Sequence, residues 1–188
     1  MSNFSAFLTR GNKRVSSKNT RDLRPTTGLV KNAMFQILDT VVEMEGAPIL
    51  DLYAGTGALG IEALKQGARY CEFVERVHHR CANIRSSLDI AGFNQTSHVL
   101  NMAVGKALNV LDDQFRIVFM DPPYEQGIPA RILDLLGRNS LIEPNGWIIL
   151  EHSSRLTTGD KYGKLMFWKT YRYGDTSVSL FFNSEEVY

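Results

Sequence analysis

The chain has 188 residues, of which 44% are hydrophobic and 22% charged, and its formal net charge is only +1. These proportions are typical of one globular domain that is long enough to bury a substantial core. The two cysteines, Cys71 and Cys81, give no sign of a disulfide framework, and no apolar run reaches membrane-spanning length. Because the N-terminus lacks the apolar core of a signal peptide, we expect a cytoplasmic protein.

Basic charge is concentrated at the start of the chain. Residues 1–31 contain seven lysines and arginines against one acid, a net charge of +6. We predict a basic, partly flexible arm over residues 1–22 and a single domain over residues 23–188. Such an arm fits a phosphate-rich partner, although a solvated tail would have a similar composition. The candidate phosphate contacts are Arg10, Lys13 and Arg14.

A helix is predicted after the arm, over residues 28–39. Its apolar face consists of Val30, Met34, Ile37 and Leu38. Thr26 or Thr27 is the candidate N-cap, since a threonine hydroxyl can accept a hydrogen bond from the first turn of a helix. Arg24 and Thr26, at the entrance to this helix, are candidate substrate contacts.

A short apolar strand at residues 48–52 leads into a glycine-rich turn. The glycines of this turn are Gly55, Gly57 and Gly60. Their Gly-x-Gly-x-x-Gly spacing lets a nucleotide cofactor approach the backbone at a helix N-terminus. The next strand, predicted at residues 70–75, ends in Glu75, which is positioned to accept hydrogen bonds from ribose hydroxyls.

Asp51 distinguishes between two classes of cofactor. In dinucleotide enzymes the glycine turn contacts a pyrophosphate, which an acid four residues before Gly55 would repel. A carboxylate at this position suits a cationic ligand instead, such as the amino group or the sulfonium centre of S-adenosylmethionine. The sequence therefore favours S-adenosylmethionine over a nicotinamide dinucleotide.

A second motif is a buried strand that runs into an acid and two prolines. The apolar run before Asp121 predicts a central strand at residues 116–120, with the acid at its carboxyl end. The stiff exit through Pro122 and Pro123 points the Asp121 carboxylate and the Pro122 carbonyl into one cleft, as two acceptors for a planar NH2 group. Tyr124 is then free to lie against a flat heterocycle. The alternative is a simple strand terminator, because Asp and Pro are common turn residues.

Strands and helices alternate along the body of the chain. Further strands are predicted at residues 97–101 and 147–151, further helices at 57–67, 78–91, 104–111 and 128–137, and a turn at 144–146. This order predicts a parallel sheet with right-handed crossovers. Residues 164–170 and 176–182 predict a terminal hairpin with Gly174 in its turn, which adds an antiparallel strand.

Several other chemistries lack their motifs in this sequence. The histidines are His78, His79, His98 and His152. None of them lies in a metal-ligand pattern with cysteines or carboxylates, so we expect no metal site. The chain has no Gly-x-Ser-x-Gly nucleophile elbow, and its glycine turn lacks the Lys-Ser/Thr ending of a phosphate-binding loop.

Together the motifs resemble those of the bacterial small-subunit ribosomal RNA guanine-N2 methyltransferases, the RsmD family. The similar segments are Arg24-Pro-Thr-Thr27, the 51–60 glycine turn, Phe73-Val-Glu75, Asp121-Pro-Pro-Tyr124, Glu151-His152 and Tyr173-Gly174. The charged positions that the family usually has after Thr27 are here Gly28, Leu29 and Asn32. No acid is present at residues 98–111 to meet the cofactor adenine, which leaves Asn101, a main-chain carbonyl near Met102 and Ala103, or a residue near Lys106.

The resemblance implies a Rossmann-like class I fold, with a mostly parallel seven-stranded sheet and an antiparallel C-terminal strand. It implies methyl transfer from S-adenosylmethionine to the N2 amino group of a guanine in small-subunit ribosomal RNA, either free or in an assembling subunit, by a monomer. The implied cofactor contacts are Asp51, Tyr53, Ala54, Gly55, Thr56, Gly57, Glu75, Arg76, Met102 and Ala103, and the implied catalytic residues are Asp121, Pro122, Pro123 and Tyr124. Two alternatives stay open: a DNA adenine or cytosine amino methyltransferase, and a non-catalytic RNA-binding assembly factor.

Overall fold

A computed structural model describes residues 27–123 and 127–184. The strands are β1 (Pro48–Leu52), β2 (Tyr70–Glu75), β3 (Ser97–Asn101), β4 (Phe115–Met120), β5 (Ile142–Ser153), β6 (Lys161–Tyr162), β7 (Leu165–Tyr173) and β8 (Thr176–Asn183). The helices are α1 (Thr27–Leu38), α2 (Ala58–Lys65), α3 (His78–Ala91), α4 (Val104–Ala107) and α5 (Ala130–Arg138), with a 3-10 turn at Asn94–Thr96. The strands form one sheet in the order β3-β2-β1-β4-β5-β8-β7-β6.

The first five strands are parallel, and the last three join them in antiparallel pairs. Every residue of β1 is buried, as expected of a central strand covered on both faces. The alternation of strands and helices places the crossover helices on the two faces of the sheet. The predicted α/β fold, with a mostly parallel sheet and an antiparallel C-terminal hairpin, is therefore confirmed.

The predicted count of seven strands is wrong, because a short strand, β6, adds an eighth at the sheet edge. Its two residues precede Gly163, which has a φ of 58° and lies against the backbone of Gly137 at the end of α5. The amide of Lys164 donates a 2.8 Å hydrogen bond to the Gly137 carbonyl. Because both glycines lack a side chain, the two backbones can meet, and this contact orders the edge hairpin.

The strand that ends at Ser153 begins earlier than predicted. The sequence predicts a turn at residues 144–146, but β5 runs through it, with Ile142 paired to Phe115 and Trp147 paired to Ile117. The register shifts between these two pairs, and Asn145 has a φ of 59°. The turn residues therefore form an irregularity within β5 and do not end the strand. The helix predicted at 104–111 is also shorter, since α4 ends at Ala107.

The core has one apolar layer on each face of the sheet. On one face α1, α2 and α3 pack on residues such as Ile49 and Phe119. On the other face α4 and α5 pack on residues such as Leu50 and Val118. The predicted apolar face of α1, Val30, Met34, Ile37 and Leu38, is buried in the first layer. Among the helices that the structure describes, none is long and apolar enough to cross a membrane.

Candidate active site

The carboxyl ends of the parallel strands open into a cleft of about 620 Å³. Its walls come from the segments that follow β1, β2, β3 and β4, together with the start of α5. A ligand site at this edge is the rule for open α/β sheets, because the loops after the strands converge there. The volume falls in the range of about 300–1,000 Å³ that is typical of small-molecule and cofactor sites.

The glycine turn forms one wall of the cleft. Tyr53 and Gly55 line it, with φ angles of 62° and 58°, and Gly57 has a φ of 77° as the residue before α2. A tyrosine with positive φ is unusual, and such strain is concentrated at functional sites. Gly60 has a packing function: a β-carbon there would collide with the Phe73 ring. Close packing of α2 on β2 thus holds the turn in place.

Glu75 links the end of β2 to this turn. One carboxylate oxygen accepts a 2.9 Å hydrogen bond from the Gly55 amide, and the other accepts a 2.8 Å bond from the Val77 amide. Arg80 lies 3.9 Å from the same carboxylate, which is buried except where it lines the cleft. Because a carboxylate has about four lone-pair sites, Glu75 is fixed in orientation and retains acceptor capacity toward a ligand.

Asp51 lies behind the turn, and its contacts are within the protein. Its side chain is buried and accepts a 2.9 Å hydrogen bond from the Gly60 amide. Burial raises its pKa to about 7, and the nearby Asp121 and Glu75 carboxylates also raise it, against the lowering effect of the Gly60 bond. The structure thus gives Asp51 a structural partner, while a direct contact to a cationic ligand stays a prediction.

The segment after β3 forms an apolar part of the cleft. Met102 and Ala103 line it as predicted, together with Val104, Gly105 and, from α5, Ile132. Asn101, the first candidate for an adenine contact, instead donates hydrogen bonds of 3.1 and 3.0 Å to the carbonyls of Glu75 and Arg76. Its amide therefore holds the chain after β2. The main chain at Met102 and Ala103 and the segment at Gly105, next to Lys106, lie on the cleft wall, so both of these candidates for the adenine contact stay predictions.

Asp121, Pro122 and Pro123 follow β4 and line the cleft opposite the glycine turn. Asp121 is exposed toward the cleft, yet enough protein surrounds it that desolvation raises its pKa to about 7, with a further contribution from Glu151. Pro122 is buried. The fourth predicted catalytic residue, Tyr124, lies outside the described residues.

The cleft brings together six of the predicted cofactor residues and three of the predicted catalytic residues. These are Tyr53, Gly55, Glu75, Arg76, Met102, Ala103, Asp121, Pro122 and Pro123. Ala54, Thr56 and Gly57 belong to the turn without lining the cleft. The predicted arm over residues 1–22 and the candidate substrate contacts Arg10, Lys13, Arg14, Arg24 and Thr26 lie outside the described part of the chain.

Two basic residues on the cleft wall were not predicted. Arg80 belongs to the first turn of α3 and Arg131 to the first turn of α5, and both are exposed. A basic residue is unfavourable at a helix N-terminus, where the helix dipole is positive. The unusual placement of Arg80 and Arg131 in first helical turns is therefore the one signal in the sequence that could have indicated a functional role for them.

Comparisons with known proteins agree with this architecture. The family model "Conserved hypothetical protein 95" matches residues 9–182. YlbH of Bacillus subtilis is 31% identical over 175 residues, covering 92% of each chain. Ribosomal RNA small subunit methyltransferase D of Haemophilus influenzae is 30% identical over 149 residues, covering 78% of this chain and 76% of that protein.

Solved structures share the fold. A conserved hypothetical protein from Streptococcus pyogenes has a TM-score of 0.75 at 25% identity and covers 82% of this chain and 95% of its own. The structure of SMU.776 complexed with SAH has a TM-score of 0.64 at 14% identity, covers 81% of this chain and 49% of its own, and shows the fold alone. The class I methyltransferase fold is confirmed, and the chain belongs to the family of conserved hypothetical protein 95, with the predicted resemblance to RsmD-type methyltransferases confirmed.

Proposed function

We propose that this protein transfers a methyl group from S-adenosylmethionine to the N2 amino group of a guanine in small-subunit ribosomal RNA. The observation that carries the proposal is that one cleft joins Glu75 and the glycine turn to Asp121 and Pro122. Glu75 and the glycine turn are suited to a nucleoside cofactor, whereas Asp121 and Pro122 are suited to an amino group. The name of the Haemophilus influenzae relative supports ribosomal RNA as the substrate class.

S-adenosylmethionine is the cofactor of this methyltransferase, and the cleft fits it. Glu75 retains acceptor sites for ribose hydroxyls, and the apolar wall at Met102, Ala103 and Ile132 fits a flat, weakly polar ring. The carboxylates near the methyl-transfer end, including Asp121, favour a ligand with cationic groups. When bound, the cofactor supplies an electrophilic methyl group.

The residues after β4 orient the amino group that is methylated. The Asp121 carboxylate and the Pro122 carbonyl are the acceptors for the two N–H bonds of a planar NH2 group. An amino group of this kind is a poor nucleophile, because its nitrogen lone pair is delocalised into the ring. The two hydrogen bonds hold the nitrogen toward the methyl group and stabilise the positive charge that develops on it. Each oriented acceptor contributes on the order of a few kcal/mol to the lowering of the barrier, as at other electrostatic sites.

Basic side chains at the cleft wall suit a nucleic-acid substrate. Arg76, Arg80 and Arg131 are exposed there and can meet phosphates on either side of a base inserted into the cleft. The basic arm, the choice between free RNA and an assembling subunit, the cytoplasmic location and the monomeric state stay predictions.

The test is transfer of radiolabelled methyl from S-adenosylmethionine to unmodified 16S RNA, to small subunits and to duplex DNA, followed by nucleoside analysis. We expect label in N2-methylguanosine, and its distribution between free RNA and subunits identifies the true substrate. Label in DNA adenine or cytosine would instead make the protein a DNA amino methyltransferase. Cofactor binding without transfer to any of the three would favour a non-catalytic assembly factor.

The Asp121→Asn variant separates chemistry from folding in this assay. It removes one charged acceptor from the reacting group while keeping the size of the side chain. We expect methyl transfer to fall by at least about 100-fold, as for single deletions at electrostatic sites, with cofactor affinity changed far less. Near-normal turnover in Asp121→Asn would refute the assigned role.

A further inference from the structure

A row of carboxylates crosses the carboxyl edge of the sheet. Glu75 ends β2, Asp51 lies in β1, Asp121 follows β4 and Glu151 lies near the end of β5. These strands are neighbours in the order β2-β1-β4-β5. The row therefore extends one strand beyond Asp121, to Glu151 in β5.

Strand register makes Glu151 the neighbour of Asp121. Met120 of β4 pairs with Leu150 of β5 in parallel, so Asp121 and Glu151 are the next positions of the two chains. Neighbouring strands are about 4.8 Å apart, which brings these two carboxylates within strong electrostatic range. The Glu151 charge accordingly raises the pKa of Asp121.

Glu151 is held by the sheet behind Asp121. It pairs with Val178 of β8, is half-buried, and does not line the cleft, whereas Asp121 does. From this position the Glu151 carboxylate can influence the cleft through its neighbour Asp121.

We propose that Glu151 is a positioning residue of the active site: its carboxylate acts through Asp121 and makes Asp121 the acceptor of the proton that the methylated amino group releases. This inference rests on the proposed function. In the step, the lone pair of the amino nitrogen forms a bond to the methyl carbon as the carbon–sulfur bond breaks, and the electron pair of the broken carbon–sulfur bond goes to sulfur. As positive charge develops on the nitrogen during this step, its proton passes to the Asp121 carboxylate, which later releases it to water.

Other charged groups near Asp121 differ from Glu151 in position. Among the described residues, Asp51 interacts with Asp121 from β1, but its carboxylate is bound to the Gly60 amide. Arg131 of α5 lines the same cleft, as do Glu75, Arg76 and Arg80. His152 follows Glu151 and points to the opposite face of the sheet, where its ring contacts the Ser179 hydroxyl at 2.8 Å.

The test compares Glu151→Gln with Glu143→Gln. Glu143 belongs to the same strand but lies near its amino end, paired with Arg116 at 2.9 Å. The first readout is the titration of the Asp121 carboxyl carbon by NMR in the protein without RNA. Removal of the neighbouring charge is expected to lower the Asp121 midpoint by roughly 0.5–1 pH unit in Glu151→Gln. It is expected to leave the midpoint unchanged in Glu143→Gln, and an unchanged midpoint in both variants would overturn the inference.

The second readout is the pH profile of single-turnover methyl transfer to RNA. In Glu151→Gln the acid limb is expected to move to lower pH by the same amount, and the rate at high pH to fall severalfold because Asp121 becomes a weaker base. Glu151→Asp, which keeps the charge, is expected to restore the wild-type limb. An NMR shift without a shift of the limb would refute the proton-acceptor role. If wild-type protein transfers no methyl to RNA, the proposed function fails. The NMR comparison still shows in that case whether the Glu151 charge raises the Asp121 titration midpoint.

Discussion

The carboxylate of Asp51 accepts a 2.9 Å hydrogen bond from the backbone amide of Gly60. This bond ties the carboxyl end of β1 to the first turn of α2, so that the loop between them is held at both ends. Both residues are buried. The glycine turn is thus shaped by the protein's own contacts before any cofactor binds, which lowers the cost of ordering it on binding.

Replacement of Asp51 by asparagine is expected to change how stability depends on pH. The folded-state pKa of about 7 is above the ordinary value of 3.8, so the folded protein binds this proton more tightly than the unfolded chain does. The contribution of Asp51 to the free energy of unfolding is therefore largest below pH 4 and is lost as pH rises to about 7. Asparagine can still accept the Gly60 bond but cannot titrate, so Asp51→Asn should show a flatter profile and be more stable than wild type at pH 8.

The measurement is urea unfolding of both proteins between pH 4 and pH 8. Burial lowers the pKa of His152, so this residue destabilises the fold as pH falls below about 6.5, in the opposite direction to Asp51. Comparison with wild type is essential because it removes this contribution, which both proteins share. Glu143→Gln is the control, since its partner Arg116 is partly exposed. Parallel pH profiles for Asp51→Asn and wild type would contradict the assigned pKa.

Substitution of Gly60 by alanine should destabilise the protein. The added β-carbon would collide with the Phe73 ring and lie 2.6 Å from the Cys71 sulfur. Overpacking of this kind costs about 1–3 kcal/mol. Gly28→Ala is the matched control: its β-carbon would meet no atom of the described residues within 4 Å, and alanine is the better helix former, so it should stabilise α1 by up to about 1 kcal/mol. Chemical denaturation measures both, and equal effects of the two substitutions would contradict this packing.

The parallel strands were predicted accurately where a buried apolar run is bounded by turn-forming residues. The strands β1, β2 and β3 have the predicted bounds, and α3 is capped at its C-terminus by Gly92, whose φ of 78° favours glycine. It failed where tertiary contacts override local signals. Pro144 and its neighbours form a turn signal, but pairing of Ile142 with Phe115 keeps them in β5. The two residues of β6 depend on the Gly137–Gly163 contact, which no local pattern encodes.

The site was predictable where a residue's position follows from its strand. Glu75 and Asp121 end buried strands, so their presence at one edge of the sheet follows from the parallel topology. The partners of these side chains were not predictable, because the Gly55 and Val77 amides reach Glu75 only through the folded turn. The location of Arg131 on the cleft wall was not predicted, because it depends on how α5 packs against the sheet.

Removal of the Glu75 side chain should weaken cofactor binding. In Glu75→Ala the Gly55 and Val77 amides lose their acceptor, and the cleft loses the acceptor that we propose for the cofactor ribose. Loss of hydrogen bonds to a charged group predicts a Kd for S-adenosylmethionine that is roughly 10- to 100-fold higher by calorimetry. Glu72→Ala is the control on the same strand, since Glu72 is also buried but contacts Tyr70 and His98. If both variants bind the cofactor with wild-type affinity, Glu75 has only a structural function.

Arg131 should contribute to RNA affinity through charge. It is exposed on the cleft wall, while Arg138, also exposed, lies at the other end of the same helix, where a basic residue favours the helix dipole. If Arg131 neutralises one phosphate of a single-stranded segment, Arg131→Ala should lower the slope of log affinity against log salt by about 0.7 and leave the Kd for the cofactor unchanged. Arg138→Ala should alter neither quantity. Anisotropy of a labelled RNA between 50 and 200 mM salt, about the range over which such contacts are lost, measures the slope. An unchanged slope in Arg131→Ala together with weaker cofactor binding would assign Arg131 to the cofactor and not to RNA.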